Sequence, residues 1–187
     1  MAVTSTMLPL GTPAPDFALP EVTDGSTVTL AGLSDAPVLV VAFLSRHCPY
    51  VKHLEARLAT VAGDLQEQGA AVVGICANDA EAYPDDAPEM LAEQKRTVGL
   101  PFPYLHDASQ AVARAYQAAC TPDFFVFDRD RRLAYRGQFD ASRPGQGEPT
   151  GEDLVAAVTA VLAGDQPPAD QRPSMGCSIK WRSDAPA

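Results

Sequence analysis

The sequence predicts an α/β fold in which one sheet is covered by helices on both faces. Two continuous apolar runs, PVLVVAFLS at 37–45 and AAVVGICAN at 70–78, are typical of strands buried on both faces. Between these runs, apolar residues recur at helical spacing from Pro49 onward. Further along, the polar turn DRDR separates two short apolar runs, which indicates a β-hairpin. This alternation of strands and helices favours a layered domain.

The other elements follow from the same periodicities. An irregular segment rich in Pro and Ala occupies residues 1–20. After it we expect a strand at 25–33, the two buried strands with the helix between them, a helix at 85–98, a short strand at 101–107, a helix at 108–119, hairpin strands at 124–128 and 132–139, and a helix at 152–163. The chain therefore divides into a domain at 1–165 and a C-terminal tail at 166–187, which has no clear period and is expected to pack on the domain.

Composition and charge exclude several classes of function. The 187-residue chain has a formal net charge of −10, which argues against nucleic acid or an anionic membrane surface as a partner. No apolar run is long enough to span a bilayer, and the N-terminus lacks the basic and apolar regions of a signal peptide, so the expected location is the cytoplasm. No glycine-rich phosphate loop is present, and no cofactor or metal is assigned.

Cys48 is the best candidate for a reacting atom. It follows a buried strand and directly precedes Pro49, which suits the first turn of a helix. The free N–H groups and dipole of a helix N-terminus stabilise an anion such as a thiolate, and Arg46 and His47 add positive charge nearby. The alternative interpretation is that Cys48 is a small, buried apolar residue that only packs at the end of the strand.

Three more cysteines are candidates to complete the chemistry. Cys76 lies at the end of the second buried strand, and Cys120 precedes Thr121 and Pro122 at the start of another strand. If the first two strands are parallel and the third antiparallel to them, Cys48, Cys76 and Cys120 converge on one edge of the sheet. The fourth cysteine, Cys177, lies in the tail.

The chain resembles the thioredoxin-fold superfamily, and specifically the branch related to alkyl hydroperoxide reductase and thiol-specific antioxidant proteins. The resemblance rests on LGTPAPDFALPEVTDGSTVTL, FLSRHCPYVKHLE, CTPDFFVFDRDRRLAYRGQFD and PSMGCSIKW, and it covers residues 8 to 182. The single-cysteine HCPYV motif is similar to that of peroxiredoxin-like members. The resemblance implies a thioredoxin-like fold, with a central mixed sheet flanked by helices and a C-terminal tail. It also implies that Pro122 is a cis-proline facing Cys48.

The chain departs from the patterns of both related groups. Val51 stands where the C-x-x-C motif of thioredoxins has its second cysteine. In the P-x-x-x-[ST]-x-x-C pattern of peroxiredoxins, Ser45 matches the hydroxyl position but Val41 replaces the proline. An arginine that peroxiredoxins place ahead of a later strand is also missing from the corresponding position, which is occupied by Thr121, Pro122 and Asp123.

We therefore expect a thiol oxidoreductase in which the Cys48 thiolate attacks a disulfide or a peroxide. Cys120 is the first candidate for the resolving thiol, Cys76 the second and Cys177 the third, with an external thiol as the fallback. The residues expected to shape the site are Ser45, Arg46, His47, Pro49, Thr121 and Pro122. The expected partners are a peroxide or disulfide substrate and a thioredoxin- or glutathione-type reductant, and a homodimer is left open.

Two alternatives come from other classes of function. A metal-binding or copper-delivery module would use Cys48, Cys76 and Cys120 with His47 or His53 as ligands, although their spacing includes no close cysteine pair. A redox sensor would oxidise Cys48 reversibly without catalytic turnover.

Overall fold

The computed structural model describes residues 2–183. In chain order its strands and α-helices are β1 (Ala2–Thr4), β2 (Ala18–Pro20), β3 (Thr27–Thr29), β4 (Val38–Phe43), α1 (Pro49–Glu67), β5 (Ala70–Cys76), α2 (Pro88–Val98), β6 (Tyr104–His106), α3 (Ala111–Ala115), β7 (Cys120–Thr121), β8 (Asp123–Phe127), β9 (Leu133–Gly137), α4 (Glu152–Leu162) and β10 (Met175–Ser178). Short 3₁₀ turns precede β4 and α2.

Five strands form the central sheet in the order β6-β5-β4-β8-β9. The strands β4, β5 and β6 are parallel, whereas β8 is antiparallel to β4 and pairs with β9 as the hairpin expected from the DRDR turn. All six residues of β4 are buried, which explains why its sequence is continuously apolar rather than alternating. The parallel arrangement brings the C-terminal ends of β4 and β5 to the same edge of the sheet.

Apolar side chains cover both faces of this sheet. On one face, α1 packs Val51, Leu54 and Leu58 at helical spacing, beside buried residues of α2 and α4. On the other face, α3 and the N-terminal segment pack around the ring of Tyr116, which meets Phe43, Phe125 and Phe127 edge-on. The prediction of a mixed sheet flanked by helices is confirmed.

The tail contributes a strand that the sequence pattern did not predict. The strands β1, β10 and β7 form a second, antiparallel sheet with β10 in the middle, so both edges of β10 are paired. Beyond it, buried Ile179 donates its amide to the Ala119 carbonyl, and Arg114 stacks over the Trp181 ring at 4.5 Å. The segment from Met175 to Trp181 is thus held against the rest of the chain, while the proposed division at residue 165 stays a prediction.

Some predicted boundaries shift. The helix expected at 108–119 is confined to Ala111–Ala115, and the strand expected at 25–33 is reduced to Thr27–Thr29, followed by a 3₁₀ turn. Within residues 2–183, no helix combines the length and apolar character needed to cross a membrane.

Candidate active site

Cys48 is the N-cap residue of α1, at the edge of the sheet where β4 ends. Its backbone is extended (φ −73°, ψ 120°), and Pro49 occupies the first helical turn, where no backbone donor is needed. The side chain is 0% exposed, and its Sγ donates a hydrogen bond to the Thr121 carbonyl oxygen at 3.1 Å. A negative charge on this sulfur would lie at the positive end of the helix dipole.

The peptide bond between Thr121 and Pro122 is cis. It joins β7 to β8, and Asp123 at the start of β8 pairs with Phe43 at the end of β4. This pairing places the Thr121 carbonyl beside the N-terminus of α1. The main chain around Pro122 therefore forms one wall of the site.

Cys177 lies close to Cys48 in the second sheet. It lies directly opposite Thr121 in the pairing of β10 with β7, and Cys48 Sγ donates its hydrogen bond to the carbonyl of that same Thr121. Burial, together with the neighbouring Cys48 thiol, raises the pKa of the half-buried Cys177 thiol to about 11. The Lys180 ammonium group opposes this rise.

Gly176 allows β10 to lie close against β7. A Cβ atom at this position would be 2.0 Å from the Thr121 carbonyl oxygen and 3.2 Å from Pro122 Cδ. The distance to the carbonyl oxygen is far inside van der Waals contact, so only glycine permits this approach. The position of Cys177 against Cys48 therefore depends on its neighbour in the strand.

The other two cysteines are buried nearby. Burial raises the pKa of the Cys120 thiol, and the charges of Asp123, Cys48 and Cys177 contribute to the same rise, so Cys120 belongs to the same neighbourhood. Its Sγ donates to the Pro122 carbonyl at 3.6 Å. Successive residues of a strand point to opposite faces. The Cys120 side chain therefore points to the face of β7 opposite to that of Thr121, the residue paired with Cys177. Cys120 therefore lies near Cys48 but on the opposite side of β7 from Cys177.

Cys76 ends β5 at the same edge of the sheet. Burial raises the pKa of its thiol well above the usual value, with Asp86 and Asp107 adding to the effect. The Asn78 main chain opposes part of this rise. These surroundings favour a neutral, inert thiol rather than a second nucleophile.

The turn before Cys48 is organised by Asp86, a residue that the sequence did not single out. Its fully buried carboxyl group receives hydrogen bonds from Ser45 Oγ at 3.0 Å, the Arg46 amide at 2.7 Å and Asn78 Nδ2 at 2.7 Å. The Nδ1 atom of His47 lies 2.6 Å from the same group. Asp86 is 39 to 41 positions along the chain from the residues of the turn that it holds, so no local motif reveals it.

Arg46 does not supply an uncompensated charge. Its guanidinium group forms ion pairs with Asp85 at 3.4 Å and Glu93 at 3.1 Å on the protein surface. The electrostatic role expected for Arg46 near Cys48 is therefore weakened by these two carboxylates.

The metal-binding alternative needs several ligands around one point. Across residues 2–183, no group of three or more His, Cys, Asp or Glu side chains is arranged to hold a metal ion. His53, one of its suggested ligands, instead bonds through Nε2 to Ser142 Oγ at 3.0 Å.

The fold, with a cysteine at the start of the first core helix and a cis-proline beside it, is that of a thioredoxin-like protein. The chain belongs to the AhpC/TSA family, whose model matches residues 10–136. None of the curated proteins matches it.

Two similar solved structures span nearly the whole chain. An uncharacterized conserved protein from Geobacillus kaustophilus is 50% identical, with a TM-score of 0.95, covering 99% of this chain and 98% of that one. A hypothetical protein from Sinorhizobium meliloti 1021 is 52% identical, with a TM-score of 0.94, covering 96% of this chain and 98% of that one. A thioredoxin-family thiol:disulfide interchange protein from Chlorobium tepidum TLS shares the fold at 20% identity and a TM-score of 0.63, covering 81% of this chain and 97% of that one.

Proposed function

We propose that the protein is a thiol-dependent oxidoreductase in which Cys48 is the nucleophile and Cys177 the resolving thiol. The observation that carries the proposal is that both thiols meet at Thr121: Cys48 Sγ donates to its carbonyl, and Cys177 lies opposite it in β10. A cysteine at a helix N-terminus can react as a thiolate, and a second thiol in contact with it can displace the product of the first step. Val51 therefore need not be a cysteine for the site to contain a dithiol.

The first step consumes a hydroperoxide or a disulfide. With a hydroperoxide, the Cys48 thiolate attacks an oxygen, the O–O bond breaks, an alcohol or water leaves after protonation, and Cys48 becomes a sulfenic acid. With a disulfide, an S–S bond breaks, one thiol leaves and Cys48 forms a mixed disulfide. With a hydroperoxide the Cys48 sulfur loses two electrons in this step, whereas with a disulfide it loses one, and the two-electron oxidation is complete only when the internal disulfide forms.

Cys177 completes the internal oxidation. Its thiolate attacks Cys48, forming a Cys48–Cys177 disulfide and releasing water or the second thiol of the substrate. A dithiol of the thioredoxin type, or two molecules of a glutathione-type thiol, then reduces this disulfide and restores both cysteines. The proposal places the reaction in the cytoplasm, a reducing compartment compatible with the four free cysteines.

The decisive experiment is peptide mapping after oxidation. Reduced protein is treated with hydrogen peroxide or hydroxyethyl disulfide, blocked with an alkylating agent and digested. We expect a disulfide joining the Cys48 and Cys177 peptides, and we expect added thioredoxin or glutathione to remove it. A disulfide between Cys48 and Cys120 or Cys76 would contradict the choice of Cys177.

Variants separate the roles of the thiols. Cys48→Ser should abolish dithiol-dependent reduction of both substrates, because no other cysteine occupies the helix terminus. Cys177→Ser should still allow Cys48 to be oxidised once, but the product should remain a sulfenic acid or a mixed disulfide. Cys76→Ser should retain the internal disulfide, whereas unchanged turnover in Cys48→Ser would rule out the mechanism.

The same measurements distinguish a redox sensor from an enzyme. A reversible Cys48–Cys177 disulfide without sustained consumption of either oxidant, with thioredoxin or glutathione present, would favour a sensor. Steady consumption would favour the enzyme.

A further inference from the structure

We propose that His47, held by Asp86, transfers the proton that the Cys48 reaction requires. This inference rests on the proposed function, because it concerns the same thiol and the same oxidants. His47 directly precedes Cys48 in the turn between β4 and α1. The proposal comes from the way in which the structure fixes the His47 imidazole ring.

Asp86 holds the ring from one edge. Its carboxyl group is 0% exposed, and His47 Nδ1 lies 2.6 Å from Oδ2. The same carboxyl group accepts hydrogen bonds from Ser45, from the Arg46 amide and from Asn78. Because all of these groups are donors, they stabilise the carboxylate form of Asp86.

A carboxylate can only accept hydrogen bonds, so the proton of the neutral imidazole is fixed on Nδ1. The second nitrogen, Nε2, is then the basic atom of the ring. None of the hydrogen bonds found in residues 2–183 involves His47 Nε2, and the His47 side chain is 22% exposed. The ring therefore presents a proton acceptor on the side away from Asp86.

Tyr83 fixes the ring from one face. The two rings stack with centroids 5.4 Å apart and planes 13° apart. Lys180 Nζ lies 5.8 Å from the centre of the Tyr83 ring, and its charge also acts on Cys177. An edge contact and a face contact together leave His47 little freedom to rotate.

The charged groups around His47 leave few other routes for the proton. Arg46 is paired with Asp85 and Glu93 and remains protonated. The Asp86 carboxyl group already accepts hydrogen bonds from the Arg46 amide and from Asn78, and Lys180 carries a positive charge, so neither group is a good proton acceptor.

The proton transfer balances for both oxidants. The Cys48 proton moves to His47 Nε2, directly or through one water, as the sulfur attacks. The O–O or S–S bond breaks, and the departing oxygen or sulfur takes the proton from His47. The imidazole returns to its neutral state, and Cys48 is left as a sulfenic acid or a mixed disulfide. Asp86 is a positioning residue that keeps Nε2 available.

The test compares two histidines near the same end of α1. His47→Gln removes the proposed proton carrier, and His53→Gln is the matched control because His53 bonds to Ser142 instead. Cys48 oxidation by hydrogen peroxide is measured by peptide mapping from about pH 5 to 8. We expect His47→Gln to lower the rate at least about tenfold and to remove an inflection from the pH profile, which His53→Gln should retain.

Alkylation of Cys48 by iodoacetamide is measured over the same pH range. This reaction needs removal of the thiol proton but not an oxidant, so it distinguishes failure of this inference from failure of the proposed function. An unchanged pH profile in His47→Gln for both reactions would overturn the inference. Absence of oxidation with a His47-dependent alkylation profile would instead reject the oxidoreductase and retain the proton transfer.

Nuclear magnetic resonance of the wild-type protein provides a test that does not depend on the folding of an Asp86 variant. With ¹⁵N-labelled histidine, the neutral His47 ring should carry its proton on Nδ1. Asp86→Asn should shift the ring toward the other tautomer and lower the oxidation rate. A neutral His47 protonated on Nε2 in the wild type would contradict the proposal.

Discussion

Asp123 shows how one buried side chain makes stability depend on pH. Burial raises the pKa of its carboxyl group from 3.8 to about 8, although nearby N–H and O–H groups of Ala119, Ser174 and Ser5 oppose part of the rise. Neither carboxyl oxygen has a hydrogen-bond partner of good geometry in residues 2–183. The folded state therefore keeps this proton at pH values where the unfolded chain has lost it.

The sign of the effect follows from linkage. Because the folded-state pKa is the higher one, the contribution of Asp123 to stability falls as the pH rises from about 4 toward about 8. We expect Asp123→Asn to flatten this dependence by more than about 1 kcal/mol, since one pKa unit corresponds to about 1.4 kcal/mol. Urea unfolding at several pH values measures it.

An exposed carboxyl group is the control for this measurement. Asp165 lies in an exposed turn after α4, so Asp165→Asn should leave the pH dependence unchanged. Equal slopes in the wild type and Asp123→Asn would show that Asp123 ionises as readily in the folded protein as in the unfolded chain.

At the same scale, the residues of the site differ in how visible they are in the sequence. Cys48 is recognisable because a strand ends before it and Pro49 follows. Asp86 is not recognisable in the sequence. A buried carboxylate is identified by the groups that donate hydrogen bonds to it, and these belong to residues 45–47 and to Asn78. Its sequence surroundings, YPDDAPE, have the composition of an ordinary turn.

At the scale of elements, β10 presents Cys177 to the site. Gly176→Ala should push β10 away from β7, because the new Cβ would meet the Thr121 carbonyl oxygen, a backbone atom that cannot rotate aside. We expect slower formation of the Cys48–Cys177 disulfide, by at least about tenfold, and a loss of stability of roughly 1–3 kcal/mol for an overpacked site. Quenched oxidation time courses and urea unfolding measure the two effects.

Gly63→Ala is the matched glycine substitution. Gly63 lies inside α1, and a Cβ there would meet no atom within 4 Å. This change should leave disulfide formation unaltered and stabilise the helix by roughly 0.5–1 kcal/mol. If Gly176→Ala forms the disulfide as fast as Gly63→Ala does, the close approach of β10 is not what brings the thiols together.

Elements with strong internal periodicity are predictable, and those made by distant pairing are not. The strand β4 and the helix α1 are evident because burial on two faces, or on one helical face, repeats along the chain. The four residues of β10 do not alternate clearly between apolar and polar side chains, so the sequence does not predict a strand there. They form a strand because β1 and β7 pair with them. This explains why Cys177 ranked last among the candidates from sequence.

At the scale of the whole molecule, the site is assembled from segments spread along the chain. Asn78 illustrates the assembly, since its Nδ2 donates to Asp86 while its Oδ1 accepts the Lys180 amide at 2.8 Å. One side chain thus joins the turn before Cys48 to the tail that carries Cys177. Displacement of the tail is therefore expected to disturb both partners of the thiol pair.

Oxidation should stabilise the whole fold for the same reason. A Cys48–Cys177 bond would close a loop from the first core helix to the tail, and cross-links over loops this long typically stabilise a protein by about 2–4 kcal/mol, mainly by restricting the unfolded chain. We expect the oxidised protein to melt at least about 4 °C higher than the reduced protein, as measured by calorimetry with and without a dithiol. Cys177→Ser should lose this difference and Cys76→Ser should keep it. An oxidised form that melts below the reduced form would mean that the bond forms only by distorting the packing of β10 on β7.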